Sequence, residues 1–581
     1  MKVARLITLF VVVAFLAVAG SFAQGTTGSQ QTPSAPPQQS VQAVPPNPQN
    51  EAIEQDFEVP EGYVDRIKKE GAVLEVGLKD AIRLALTNNL NLEIENYNEN
   101  LNRMKVFGAR GYYDPVLSFS LGWNSSTTPA TSILTAGQGV PTSIRKNWTF
   151  NTGLTQNVVA GGLFELTFDN SRTTTNSTFT TVNPTFNSGL QLSFTQPLLR
   201  GFKETQTERD LKLYNLDTKI SDTQFQQQVS QTIRQVEDQY WELVYAIQNY
   251  EAQRRGLEMA IIQYRNNQKR VDIGVMAPIE ITSSRAEVAN RQQDMITSEV
   301  SIITAQNALK NLLAPDPKAT IWGETLIPID EPQIKEVSVT LDDAIQTALK
   351  NRPELERWNL QMEQTEVSRS YLHNQGKPQV NLVLGLTSNG TSGVVYGTSY
   401  IDTNGDGVPE TPVEHTPQPS SPLWGNFGNS FGQAFGMDYL TYSAAIDVQI
   451  PLRNRTNDAQ LAQNFITKRQ QESQFRMEQQ SVMVDVRNAY QGIATRRKAL
   501  DAAQAARRLS QEKLDGENKR FEAGLSTNFE VLSYQRDLVN AQVNELRAMV
   551  NYQQALTALQ TAMFTIINEN DIVTARRNGN Q

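Results

Sequence analysis

Val76-Gly-Leu-Lys-Asp-Ala-Ile-Arg-Leu-Ala-Leu-Thr-Asn-Asn89 and Val339-Thr-Leu-Asp-Asp-Ala-Ile-Gln-Thr-Ala-Leu-Lys-Asn-Arg352 are two versions of one segment, offset by 263 positions. The offset still holds at Pro115 and Pro378 and at Gly122 and Gly385. Further along, an offset of 250 pairs Val236 with Val486 and Tyr240 with Tyr490, and pairs Arg270, Gly274 and Glu280 with Arg520, Gly524 and Glu530. The chain is therefore one unit written twice. The first copy carries a net gain of 13 residues between Pro115 and its long helix. The copies span 75–330 and 331–567, followed by a tail at 568–581.

Each copy repeats one order of elements. A helix of about 35 residues comes first (about 78–111 and about 341–376), with Leu78, Ile82, Ala85 and Leu86 at helical spacing. Alternating stretches follow within 116–196 and 379–451. Leu117, Phe119, Leu121 and Trp123 alternate with Ser118, Ser120, Gly122 and Asn124, and Leu190, Leu192 and Phe194 alternate with Gln191, Ser193 and Thr195. In the second copy Tyr442, Ala444, Ile446, Val448 and Ile450 alternate with Ser443, Ala445, Asp447 and Gln449. One apolar face and one small or polar face suit a barrel strand between lipid and water, and on pattern alone also a strand of a soluble sandwich. Long helices come next, at 203–273 and 456–523, each roughly 100 Å at 1.5 Å per residue. Shorter ones close the copies at 278–313 and 527–567. The two shorter helices of a copy, stacked end to end, match one long helix, so the chain offers four columns of equal length. These helices are rich in Gln, Ala, Asn and Arg and need lateral helical neighbours. A fibrous coiled coil fits poorly, because no strict heptad is kept and strands interrupt the helices twice.

Composition narrows the function. With 52 basic and 61 acidic residues the net charge is −9, against nucleic-acid binding. Cysteine is absent, which removes disulfides, zinc-thiolate sites, a thiol nucleophile and the acceptor for an N-terminal lipid. Histidine occurs only at His373 and His415, so a His-based catalytic site has almost nothing to recruit. No catalytic constellation or cofactor motif emerges. Lys2 and Arg5 precede an apolar run, Leu6 to Ala19, and Ser21-Phe22-Ala23 supplies small residues for cleavage, so 1–23 reads as a signal peptide. Residues 24–74 are expected to be a disordered, Pro- and Gln-rich linker. No later apolar run reaches 18 residues, so a membrane crossing would have to be a closed β-barrel.

The order of elements resembles the TolC-like family of outer-membrane efflux and secretion channels. Pro115 and Pro378 sit where that family's chain enters the barrel. Gln196-Pro197-Leu198 and Ile450-Pro451-Leu452 sit where it leaves. Arg270-Val-Asp-Ile-Gly274 and Arg520-Phe-Glu-Ala-Gly524 resemble the family's helical-hairpin tips, where Gly turns one helix into the next. The resemblance covers about residues 75–567. It implies an α+β membrane protein: a homotrimer with four strands per protomer in one 12-stranded transmembrane β-barrel, continued by a long periplasmic α-helical barrel. It further implies a passive exit duct in the outer membrane for a tripartite efflux pump or type I secretion system. A periplasmic adaptor would dock at the tips, around Arg270, Gly274, Arg520 and Gly524, and join the duct to an inner-membrane pump. No enzyme activity and no cofactor are implied. The rival reading is a structural trimeric envelope protein or adhesin with helices as a stalk, for which one continuous stalk and a single C-terminal barrel would be expected.

Four features depart from the family or bear on sites. Two extra alternating stretches, from Trp148-Thr-Phe150 and at Phe164-Glu-Leu-Thr-Phe168, are read as an extended extracellular hairpin. A Gly/Pro-rich outer loop is expected at about 388–437. Some relatives latch the closed tip with an Arg and a Tyr; Ser526 and Phe521 stand there, so no latch of that form is expected. Asp402, Asn404 and Asp406 match the first half of a calcium loop, but its twelfth position is Val413, and an Asp/Asn/Gly turn fits better. Glu280 and Glu530, six residues past each tip Gly, are either an acidic ring at the aperture, as the resemblance implies, or first-turn residues favoured by the helix dipole.

Overall fold

The computed structural model describes residues 57–131, 141–177, 180–314, 316–401, 407 and 411–570. The expected signal peptide and Asp402, Asn404 and Asp406 lie outside the described residues. Two very long helices dominate. Helix α4 (Gln206–Asp272) has 67 residues and α9 (Arg455–Glu522) has 68, each about 100 Å long. Each starts at a polar cap: Thr205 accepts from the Glu208 N–H at 3.1 Å, and Asn454 from the Asn457 N–H at 3.3 Å. The short helices are α5 (Ile279–Leu313) and α10 (Asn528–Met563).

The single first helix expected in each copy is broken in two, into α2 (Leu78–Asn88) and α3 (Leu90–Arg110), and into α6 (Leu341–Asn351) and α7 (Pro353–Gln375). Asn89 leaves helical geometry at ψ 122° and caps α3, its side chain accepting from the Asn91 N–H at 2.9 Å. In the second copy Pro353 does the equivalent work: it bars the helical conformation from Arg352 and opens α7. The expected linker also ends sooner than 74. Helix α1 (Tyr63–Glu70) and strand β1 (Val73–Val76) are ordered because Tyr63 is buried edge-on against Tyr250, and β1 pairs in parallel with β6 (Thr325–Pro328).

The core lies midway along the helices. Tyr240 is fully buried on α4. Its hydroxyl is 2.8 Å from an Asp330 carboxylate oxygen and 3.1 Å from the Val76 carbonyl oxygen, and it accepts the Asp330 N–H at 3.2 Å. The second copy builds a matching cluster from Ala344 and Ala348 of α6, Val482, Val486 and Ile493 of α9, and Tyr552 and Leu559 of α10.

The strands β2 (Val116–Pro129), β3 (Thr142–Asn157), β4 (Leu163–Thr175), β5 (Val182–Pro197), β7 (Gln379–Ile401) and β9 (Tyr439–Gln449) form one antiparallel sheet in that order. A further strand, β8 (Thr411–Pro417), pairs with the outer end of β7. The sheet thus has six long strands where four barrel strands per chain were expected: the stretch read as an extracellular hairpin is β3 and β4, paired between β2 and β5. The ladder is continuous through it, with Leu121 opposite Phe150, Leu154 opposite Leu166 and Leu166 opposite Leu192. Alternation carries across all six strands. One face holds Phe119, Phe150, Phe168, Leu190 and Ile446, and the other holds Ser120, Asn151, Asp169, Gln191 and Asp447.

The expected outer loop is also partly regular, since β7 runs on to Ile401 and helix α8 (Phe427–Gly436) lies against the apolar face. There Phe427 meets Phe186 with ring centroids 4.6 Å apart, Phe431 meets Phe168 at 5.3 Å, and Ser430 shares a 2.9 Å hydrogen bond with Ser188. The junction prolines mark the sheet's helical end: Pro115 precedes β2, Pro197 ends β5, Pro378 precedes β7, and Pro451 follows β9.

Candidate functional site

At the end of the helices far from the sheet, both copies turn in the same way. Gly274 (φ 79°) and Gly524 (φ 77°) take the left-handed conformation that side chains resist. Val275 N–H donates to the Arg270 carbonyl at 2.9 Å and Gly274 N–H to that of Val271 at 2.9 Å. Leu525 N–H donates to Arg520 at 2.8 Å and Gly524 N–H to Phe521 at 3.1 Å. This pair of bonds is the Schellman closure of a helix C-terminus, made twice. Its outer surface is apolar: Ile273, Val275, Ile279, Leu525 and Phe529 are between 66% and 73% exposed.

Beneath the turns the two hairpins are stitched together by side chains. The Arg270 guanidinium stacks over the Phe521 ring at 4.4 Å from its centroid. Phe521 belongs to a small apolar cluster with Leu514, Val531 and Leu538. Glu517 is buried and takes hydrogen bonds from Ser526 and, at 3.2 Å, from Arg520. The positions compared with a latch, Ser526 and Phe521, thus make other bonds.

A polar network sits deeper. The Asn528 side-chain oxygen accepts from Asn267 at 2.7 Å and Gln263 at 3.0 Å, while its amide nitrogen donates to Glu280 at 3.0 Å and to Ser284 at 3.2 Å. Asn267, Ser284 and Asn528 are all but inaccessible to water. Glu280 is therefore held from behind by Asn528, half-buried, whereas Glu530 is exposed in the first turn of α10, its N–H capped by Thr527 at 3.3 Å. The sequence reading missed this network. Its one signal is the disagreement between copies at an offset of 250, where Asn267 faces Glu517 and Asn528 faces Pro278.

Among the described residues no group of His, Asp and Glu could hold a metal ion, and no helix is long and apolar enough to cross a membrane.

The family model for outer membrane efflux proteins matches residues 163–314 and 344–563. Among solved structures, the Campylobacter jejuni CmeC outer membrane channel aligns at a TM-score of 0.57 with 14% identity, covering 86% of this chain and 90% of that one. VceC, an outer membrane protein of Vibrio cholerae, aligns at 0.56 and 13%, covering 84% and 95%. The open-state MtrE outer membrane channel of Neisseria gonorrhoeae aligns at 0.54 and 16%, covering 84% and 88%. Among curated proteins no sequence matches. The stalk-like adhesin reading finds no support. The matched segments reach from β4 to the end of α5 and from α6 to the end of α10, sheet and helices alike, and this chain belongs to the outer membrane efflux protein family, whose members are passive channels of the outer membrane with helical barrels in the periplasm.

Proposed function

We propose that three copies of the chain close one passive duct, and that its periplasmic tips dock the adaptor of a tripartite efflux or type I secretion assembly. Closure by symmetry answers a physical need. The sheet has six long strands and two unpaired edges, β2 and β9. Six strands are too few to enclose a water-filled pore, and open edges are untenable in lipid. A third copy of the β2–β9 contact closes the ring.

The observation that carries the docking reading is the duplicated tip. Two Schellman turns present Ile273, Val275, Leu525 and Phe529 to water, at the end of the helices far from the sheet. Exposed apolar side chains clustered on rigid turns suit a protein partner. Arg270 braces the turns by stacking on Phe521, and Arg520 by its hydrogen bond to the buried Glu517. Glu280 and Glu530, one per hairpin, become two rings of three carboxylates under three-fold symmetry.

The test is a photo-crosslinker placed at Val275 and at Leu525, with the detergent-extracted particle weighed in parallel. Cross-links to a periplasmic adaptor and a trimeric mass are expected. Normal outer-membrane levels without adaptor cross-links would overturn docking, and a conducting monomer would overturn closure by three.

A further inference from the structure

We propose that the outer-membrane wall of this duct has eighteen strands, and that its exit is as wide as the helical cylinder below it. Cargo size is then set in the helices and not in the membrane. The inference rests on the trimer reading and deepens it.

The added strands are β3 and β4, and three observations put them in the wall. The ladder comes first: every residue of β2 is paired with β3, and β3 pairs with β4 from Arg145 to Asn157. The faces come second. Trp148, Phe150, Leu154, Phe164, Leu166 and Phe168 lie on the apolar face with Leu121 and Leu192, while Asn147, Asn151, Glu165 and Asp169 lie on the polar face with Ser120 and Gln191. Helix α8 covers this face at Phe168; the rest of it would stand uncovered in water if the hairpin lay outside the membrane. The turn comes third. Val158 to Gly162 closes the hairpin at the helical end of the sheet, where Lys203 N–H donates to the Ala160 carbonyl at 3.2 Å and the Gln196 amide donates to the same oxygen at 3.2 Å. Gly161 takes φ 87° there, packed against Gly201 and Pro197. An extracellular hairpin would turn at the opposite end.

Length agrees. The 13 residues of β4 at about 3.4 Å each, tilted by about 40°, rise about 34 Å, which spans the apolar band of an outer-membrane barrel. Trp123 and Trp148, 6.1 Å apart between ring centroids, face each other midway along β2 and β3 on the apolar face.

Width follows from spacing. Strands about 4.8 Å apart and tilted by about 40° give a backbone radius of about 12 Å for twelve strands and about 18 Å for eighteen. The lumen cross-section at the backbone is thereby raised about 2.25-fold. Twelve helical columns packed about 9 Å apart form a ring of about 17 Å radius. A twelve-stranded wall would narrow at the membrane, whereas an eighteen-stranded wall continues the cylinder. The inserted hairpin also brings Glu165 and Asp169 to the polar, lumen-side face, so the widened section carries added negative charge.

The chain has no cysteine of its own, so engineered disulfides can be read without background. In outer membranes, oxidation should link Leu121→Cys with Phe150→Cys, and Leu166→Cys with Leu192→Cys, within one chain. Leu121→Cys should not link with Leu190→Cys or Leu192→Cys, because three strand spacings, about 14 Å, exceed disulfide reach. Electron cryo-microscopy of the unmodified trimer in a lipid disc should count eighteen strands. A link from Leu121→Cys to either β5 position, or a three-fold particle with twelve strands, would overturn the wide wall and leave the trimer standing. A particle without three-fold symmetry would overturn the trimer reading and the strand number with it.

Discussion

Gly524→Val should disable the tip without harming the barrel. An ideal Cβ at Gly524 meets nothing within 4 Å, so a side chain there does not clash. The cost is conformational, because φ 77° is left-handed and a β-branched residue in that region costs about 1–3 kcal/mol. Taking about 2 kcal/mol, the population of the native turn relative to a frayed one falls about 30-fold. The loss is local. Among the bonds at risk are those of Leu525 to Arg520 and of Gly524 to Phe521, together with the seating of Phe521 beneath Arg270. The sheet lies at the other end of a 68-residue helix, about 100 Å away. Gly524→Asn is the control, since Asn accepts the left-handed conformation with little strain. The assay compares outer-membrane trimer level, adaptor cross-linking and efflux for wild type and both variants. Normal trimer, weakened cross-linking and lost efflux are expected for Val, with Asn near wild type. If Val docks and exports as wild type does, the turn geometry is not what the partner reads.

Two further perturbations address the charges. Glu530→Gln and Glu280→Gln should each reduce cation selectivity and block by trivalent cations in single-channel recordings, with the double change at least additive, because carboxylate rings at a constriction favour cations. The effect of Glu530 should fade more steeply with salt than that of Glu280, which Asn528 holds half-buried; unchanged selectivity in all three variants would leave both acids as ordinary first-turn residues. Burial holds the carboxyl of Glu237, in the periplasmic part of α4, above its ordinary range despite hydrogen bonds from Thr557 and Asn570. The folded state then favours the protonated form, so this contribution to stability is full at acid pH and is lost as pH rises through the raised value. Glu237→Gln should accordingly raise the melting temperature at pH 8 and leave it nearly unchanged at pH 4; an equal shift at both would refute the assignment.

The parts of the molecule visible in the sequence are those with one physical solution. A helix that reverses tightly needs a residue free to take positive φ, so Gly274 and Gly524 announce the tips. Strand pairing must stop where the chain leaves the sheet, so Pro115, Pro197, Pro378 and Pro451 mark the junctions. The parts that stayed hidden have degenerate patterns. Alternation in β3 and β4 is the same whether the hairpin stands in the wall or beyond it; pairing partners decide, and Val158–Gly162 carries no distinctive mark of which end it occupies. Helix α8 reads as loop because Gly428, Gly432 and Gly436 lower its propensity, and packing of Phe427 and Phe431 together with the Asn426 capping box outweighs that cost. The tip network was invisible because Gln263, Asn267 and Asn528 look like any polar residues on a solvated helix until a second hairpin covers them.

The strand order also dictates a schedule of assembly. β2, β3, β4 and β5 pair with their neighbours in sequence, through short hairpin closures that form early. The next pairing, β5 with β7, joins Leu192 to Leu386 across 194 residues and must wait until the first copy's helices have been laid down. β9 then zips onto β7, and in the proposed trimer only after that would the two free edges meet those of other chains, a step that depends on concentration. A half-built monomer therefore carries an intact four-stranded sheet with a sticky edge on each side. The cell must keep this species apart from its copies until it reaches the membrane, and slowing the β5–β7 step should show itself as aggregation in the periplasm before any loss of transport is measurable.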